Sequence, residues 1–372
     1  MGTEEQREEK PHKRRVRYSG THPRKFSEKY KELNPEKYQD TIEKVISKGS
    51  TPAGMHISIC VQEILTFLQI RPGMKGLDAT LGYGGHSRKM LEALQGSGNA
   101  SEVEKELPAS SPEKGHLYAL DVDPIEIVKT TKRLRDAGFS EEIFTPISEN
   151  FANIDRVAEQ YGPFDFLLAD LGVSSMQIDN PERGFSYKQE GPLDLRLNPE
   201  SGEPASERLQ KMSREEIEGM LIDNSDEPYA AEIARAIAGR NRKGQKIDTT
   251  TKLAELIGET LAFLPEKEQK EAVKKSCARV FQALRIDVNS EFEVLEAFLT
   301  KLPSCMAPGG RIAILTFHSG EDRLVKHAFK EGKKTGLYSE IAEDVIRPSS
   351  EECARNPRAR STKMRWAIRA EE

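Results

Sequence analysis

Hydrophobic residues follow two rhythms along this chain. Three short, largely apolar runs, Gly76–Ala79, Leu117–Leu120 and Phe164–Ala169, read as strands, the last with the pattern of a strand buried on both faces of a sheet. Each run ends in or just beside an acid, at Asp78, Asp121 and Asp170. Behind the first run Met90, Leu91 and Leu94 recur at helical spacing. After Gln177 the strand rhythm stops, and helices are expected around Arg214–Ile222, Tyr229–Asn241 and Thr250–Phe263. The mixed pattern resumes with a helix over Val280–Leu302, a turn at Pro308-Gly309-Gly310, a strand over Arg311–Phe317 and a last strand near Met364–Arg369. These elements predict an α/β protein with a Rossmann-like sheet, formed by residues 51–177 and 280–372, and an inserted all-helical domain over 178–279.

The turn after the first run reads Thr80-Leu-Gly-Tyr-Gly-Gly-His-Ser87. Glycines let the backbone approach a ligand closely, and the helix start offers unpaired N–H groups to a negative group. The turn lacks the third glycine of the dinucleotide fingerprint, which permits close helix packing beneath a pyrophosphate. A nucleoside ligand without pyrophosphate fits better, and S-adenosylmethionine is of that kind. A carboxylate at the tip of the second strand can accept both ribose hydroxyls, which favours Asp121. Asp123 precedes Pro124 and serves equally well as the cap of the next helix. Asp170 lies at the same carboxyl edge, where open α/β sheets bind their ligands.

Further motifs follow in order: Asp170-Leu-Gly-Val-Ser-Ser-Met-Gln177, Glu182-Arg-Gly-Phe-Ser-Tyr187, Gly191-Pro-Leu-Asp-Leu-Arg196, Phe281-Gln-Ala-Leu-Arg285, Phe317-His-Ser-Gly-Glu-Asp-Arg323 and Asn356-Pro-Arg-Ala-Arg-Ser361. With these motifs and the glycine turn, the sequence from His56 to about Arg369 resembles the RsmH (MraW) family of ribosomal RNA methyltransferases. That family methylates N4 of a cytidine in the decoding region of small-subunit (16S) ribosomal RNA. The resemblance implies S-adenosylmethionine as methyl donor and the 16S rRNA of the small subunit as partner. It implies a donor pocket lined by Gly84, Gly85 and His86, with Asp121 on the ribose, Phe151 near the adenine, and Asp170 and Gln177 completing the set. The chain departs from the family pattern at Met176, Leu195, Leu197 and Gly320, positions that bear on packing more than on chemistry.

Methyl transfer from a sulfonium is an in-line displacement, and the nucleophile is its difficulty. The N4 lone pair of cytosine is delocalised into the ring, so the amino group must be held in line while charge builds on nitrogen. Asp170 can accept the N4 hydrogens, or it can serve the donor alone. Reaching N4 requires an unstacked base, for which Phe185, Tyr187 and Phe317 are candidate stacking partners, each also a natural core residue. His318 and Ser319 stand beside Phe317, and His318 is a candidate to bond substrate or phosphate. Asp194 and Arg196 belong to the Gly191–Arg196 motif and are carried as substrate candidates. Arg358 and Arg360 can meet RNA backbone, or pair with Glu321 and Asp322.

Composition changes this picture little. The 372 residues are 36% hydrophobic and 31% charged, as in a globular protein with polar extensions. No apolar signal region or membrane-length stretch is present, so a cytoplasmic protein is expected, with no membrane partner. Cys60, Cys277, Cys305 and Cys353 are far apart and suggest neither zinc nor a disulfide framework. Residues 1–50 hold 13 Lys/Arg against 9 Asp/Glu within a chain of net charge -5. This basic extension, with Tyr18, Phe26 and Tyr30 interleaved, suits RNA phosphates and bases or a solvated tail alike. Residues 95–114 read as a hydrophilic surface loop, and Arg235, Arg240, Arg242, Lys243 and Lys246 as either an RNA-facing or a solvated helical face. Monomer and homodimer both remain open.

Overall fold

The structure is a computed structural model that describes residues 58–96 and 115–371. The basic 1–50 extension and nearly all of the 95–114 loop lie outside the described residues.

Seven strands form one sheet: β1 (Lys75–Asp78), β2 (His116–Asp121), β3 (Phe144–Ser148), β4 (Phe164–Asp170), β5 (Met306–Thr316), β6 (Tyr338–Ile341) and β7 (Lys363–Arg369). Their order is β3-β2-β1-β4-β5-β7-β6. Strands β1 to β5 run parallel, and β7 runs antiparallel between β5 and β6. This is the expected Rossmann-like α/β class. Strand order reverses beside β1, so the carboxyl ends of β1, β2 and β4 meet at the switch point where such sheets hold ligands.

Both sheet faces are covered, which explains why the strands read as largely apolar runs. Ala313 and Leu315 of β5 face α1 (Val61–Leu68), α2 (Gly85–Leu94) and α3 (Pro124–Asp136). Ile312 and Ile314 face α4 (Ile154–Tyr161), α11 (Glu291–Cys305) and α12 (Ser319–Lys334). Gly76 is required by its neighbour: a Cβ there would lie 2.0 Å from the Phe166 ring, which is fully buried across β1. Truncating Phe166 to Ala should cost about 3–5 kcal/mol.

Between β4 and β5 a separate hydrophobic cluster gathers α6 (Ala205–Lys211), α7 (Arg214–Ser225), α8 (Ala230–Arg242), α9 (Thr250–Thr260) and α10 (Glu266–Asn289). Short α5 (Ser175–Asp179) precedes it, and α13 (Ser350–Arg355) leads towards β7. The single helix expected over Val280–Leu302 is two helices. Ser290 breaks them with a left-handed φ of 48°, and Asn289 holds the break. The Asn289 side chain accepts from Leu197 N at 2.7 Å and donates to the Leu195 carbonyl at 2.8 Å. The 279/280 boundary read from sequence falls within α10. Strand β5 starts before the expected Arg311, because Pro308-Gly309-Gly310 is carried along the strand past an irregularity opposite Phe164–Phe166.

Candidate active site

At the end of β1, Asp78 is sealed in the interior. It accepts from Thr80 N at 3.1 Å and from the Ser87 hydroxyl, and burial raises its pKa against both donors. Its role is therefore to shape the glycine turn. Gly84 sits at φ 81°, and a Cβ there would meet Thr130 Cγ2 at 2.7 Å. Gly84 is also the N-terminal cap of α2, so the first amides of that helix have no side-chain cap. Arg133 lies 3.5 Å above the Tyr83 ring and donates to the Tyr83 carbonyl at 2.7 Å, backing the turn from outside.

Asp121 ends β2 with each carboxylate oxygen engaged once, by Gly82 N and by Asp123 N, both at 2.8 Å. Every carboxylate oxygen has a second lone pair, so capacity for two ribose hydroxyls is retained. Burial pushes its pKa up to about 7, against the two N–H donors and with help from neighbouring Asp123 and Glu126. Asp123 takes the cap role: it is fully buried and accepts from Ile125 N and Glu126 N at the start of α3.

Asp170 ends β4. Thr80 Oγ1 accepts its backbone N–H at 2.7 Å, and its Oδ2 lies 3.3 Å from His86 Nδ1. The other oxygen, Oδ1, is buried without a hydrogen-bond partner among the described residues. His86 Nε2 lies 2.9 Å from the Ile59 carbonyl. Burial disfavours a charged ring, but the Asp170 carboxylate and the Ile59 carbonyl outweigh it and hold the His86 pKa above the ordinary imidazole value. Gly84, Gly85, His86, Asp121 and Asp170 thus converge on one sheet edge.

The remaining candidates divide. Phe317 borders the Asp170 turn, its ring 3.7 Å from a Cβ built on Gly172, while Ser319 is exposed at the start of α12. Phe151 packs edge-on against Phe298 at 5.1 Å, half-buried. The Gln177 amide is engaged at both ends: Nε2 donates to Asp123 at 2.9 Å and Oε1 accepts from Ser174 N in a capping box. Phe185 is buried in the helical cluster, and Tyr187 packs on Phe281 with its hydroxyl toward the Lys274 carbonyl. Asp194 and Arg196 pair with each other at 2.7 Å.

His318 caps α12 through Nδ1, and its Nε2 lies 3.2 Å from Glu321 Oε1. Although burial disfavours the Glu321 charge, His318, Arg285 and the Phe317 N–H hold its pKa below the usual carboxylate value. Glu291, His318 and Glu321 lie close enough to share a cation, but Arg285 already donates to both oxygens of Glu291, at 2.8 and 2.9 Å. Arg358 does not pair with Glu321 or Asp322; it meets Asp179 at 2.9 Å, while Lys363 and Arg365 take Asp322. Arg360 is exposed. A polar cavity of about 590 Å³ opens between α6, α7 and the α10–α11 junction, and holds none of the strand-end acids.

Two residues escape sequence reasoning: Thr80, which fixes the Asp170 backbone, and Arg183, buried against Asp123. Thr80 is visible as the first residue of the glycine turn. Arg183 carries no local signal beyond its place in the Glu182–Tyr187 motif.

The pattern that defines the MraW methylase family matches residues 53–370. The chain belongs to the MraW methylase family. Among curated members, "Ribosomal RNA small subunit methyltransferase H 1" of Lachnoclostridium phytofermentans is 64% identical over 99% of this chain and 96% of its own length. The protein of the same name from Agathobacter rectalis is 64% identical over 98% of this chain and 99% of its own length. "Ribosomal RNA small subunit methyltransferase H 2" of Alkaliphilus metalliredigens is 58% identical over 97% of this chain and 99% of its own length. Met176, Leu195, Leu197 and Gly320 serve packing. Met176 and Leu195 are buried, and a Cβ on Gly320 would strike the Phe292 ring at 2.5 Å.

Proposed function

We propose that this chain transfers the methyl group of S-adenosylmethionine to the exocyclic N4 of a cytidine in the decoding region of small-subunit (16S) ribosomal RNA. The observation that carries the reading is Asp170, whose partly exposed carboxylate stands beside His86 at the switch point of the sheet. The names of the MraW relatives support the substrate class. The donor residues fit such a ligand: an uncapped helix start for its carboxylate and an acid with spare acceptor capacity for its ribose.

When bound, S-adenosylmethionine supplies a methyl already activated on sulfonium. The amides at the start of α2 take the carboxylate, Asp121 takes the ribose hydroxyls, and Phe151 borders the adenine. Gln177 acts at one remove, by holding Asp123. An Asp170 carboxylate oxygen accepts an N4 hydrogen, which orients the lone pair and favours charge on nitrogen as the N–CH₃ bond forms and the S–CH₃ bond breaks. The N4 proton then passes to that oxygen. Phe317 is the stacking partner for the extruded base, while Phe185 and Tyr187 pack within the helical cluster. Residues 178–279 form the RNA-recognition part, and Arg358, Arg360 and Ser319 contact the RNA backbone. His318 acts by fixing the first turn of α12, and the Asp194–Arg196 pair by shaping its own loop. No described helix is long and apolar enough to cross a membrane.

Transfer of labelled methyl to small ribosomal subunits lacking the modification tests this, with naked rRNA and DNA as alternative acceptors and nucleoside analysis of the product. N4-methylcytidine on subunits is the expected result. Transfer to DNA alone, or donor binding without transfer to any acceptor, would overturn it.

A further inference from the structure

Three segments meet on one buried carboxylate. Asp123 is fully buried, and its Oδ1 accepts from Ile125 N and Glu126 N at 3.0 and 3.3 Å. Its Oδ2 accepts from Gln177 Nε2 at 2.9 Å and Arg183 Nη1 at 2.7 Å. Arg183 is buried as well, and its second terminal nitrogen donates to the carbonyls of Arg196 and Leu197 at 3.1 and 2.8 Å.

An unbroken chain of direct bonds follows. The Asp121 carboxylate is held by Asp123 N; the Asp123 carboxylate holds Arg183; Arg183 holds the backbone at 196–197; Leu197 N is held by Asn289 at the α10–α11 break. The segment so held carries Leu195 at a φ of 66°, a left-handed conformation that a leucine keeps only when its surroundings impose it. Arg183 contributes to that twice, since its own carbonyl also accepts from Leu195 N at 3.2 Å.

Building on the methyltransferase reading, we propose that Arg183 is a positioning residue that couples occupancy of the donor pocket to the conformation of the Gly191–Leu197 loop. Donor and rRNA then bind cooperatively. An ion pair is not needed here for stability, because apolar residues of similar volume can fill a buried site as well. What this pair adds is a fixed geometry: one planar guanidinium bonds a carboxylate on one side and two carbonyls on the other, which a lysine cannot reproduce. Donor hydroxyls on Asp121 bias the Asp121–Asp123 turn, and the guanidinium transmits that bias to the loop. By linkage, rRNA on the loop biases the donor pocket by the same factor.

The experiment measures the affinity of unmodified small ribosomal subunits with and without saturating S-adenosylhomocysteine, in wild type, Arg183→Lys, Arg183→Met and Asp123→Asn. Wild type should show a coupling factor of roughly fivefold or more. Each variant should bring the factor near one, and combining Arg183→Met with Asp123→Asn should lower it no further. A purely structural role would weaken both ligands yet leave the factor unchanged, and that outcome overturns the proposal. Independent binding in wild type overturns it too. Arg183→Lys keeps the charge, so it gives the answer should Arg183→Met fail to fold. Wild-type protein that binds no S-adenosylhomocysteine would instead sink the functional reading.

Discussion

The donor-side turns and the stretch from Pro181 to Ala205 are both rich in motif residues, yet they use them in opposite ways. At the sheet edge proposed to hold the donor, acceptor capacity is left over: Asp121 has one bond per oxygen, Asp170 has a bare oxygen among the described residues, and α2 starts uncapped. In the second stretch the polar groups close on each other, Asp194 with Arg196, Arg183 with Asp123 and two carbonyls. A motif residue can therefore serve a ligand or serve its neighbours. Spare capacity has to coincide with the ligand edge of the sheet to separate the two, because bare buried atoms also occur at Glu126, Glu227 and Thr362 among the described residues.

That contrast can be broken in several places. Asp123→Ala should have the largest effect, about 3–5 kcal/mol of lost stability in urea unfolding, since it strands the buried Arg183 charge. A loss below about 1 kcal/mol would mean that water replaces the carboxylate and the closed network is loose. Asp170→Ala, in contrast, should leave unfolding nearly unchanged while single-turnover methyl transfer falls by about 10²–10³; a near-normal rate removes Asp170 from the chemistry. Asp121 offers a sharper probe. Its pKa near 7 means that the carboxylate form, which accepts two hydroxyls, gives way to the neutral acid as pH falls. Donor affinity should therefore rise with pH through about 7 and level off above it, changing by up to about tenfold per unit below. Asp121→Asn should flatten that profile in calorimetric titrations with S-adenosylhomocysteine. The smallest effect is expected at Arg358, 40% exposed against Asp179. Arg358→Ala should cost no more than about 1 kcal/mol of stability, and should reduce the salt slope of rRNA binding by about one if the side chain meets phosphate.

Much of the geometry at this sheet edge is legible in sequence, because strand ends and a Pro-flanked cap are local signals: Asp78, Asp121 and Asp170 all end strands. What is not legible depends on partners far along the chain. Arg183 is 60 residues from Asp123, and nothing near either residue announces the pair. The helical pattern that Val280–Leu302 would otherwise sustain stops at Ser290, next to Asn289, whose side chain bonds the 195–197 backbone. His318 shows the opposite problem: a histidine before a helix reads alike as a reactive group or a cap, and its Nδ1 bond to Glu321 N is visible only in three dimensions.

The helical cluster interrupts the sheet between two neighbouring strands, β4 and β5, which pair from Phe164 with Met306 to Asp170 with Leu315. At equilibrium the interruption matters little, since each doubling of a loop adds only about 0.6 kcal/mol to its closure. Time is affected more. Helices that touch their sequence neighbours assemble quickly, whereas a parallel pair separated by the whole cluster must wait for a long-range encounter. During refolding the helical part should therefore regain its shape first, while the edge that presents Asp170 is among the last features to close, so reactivity should return later than helicity.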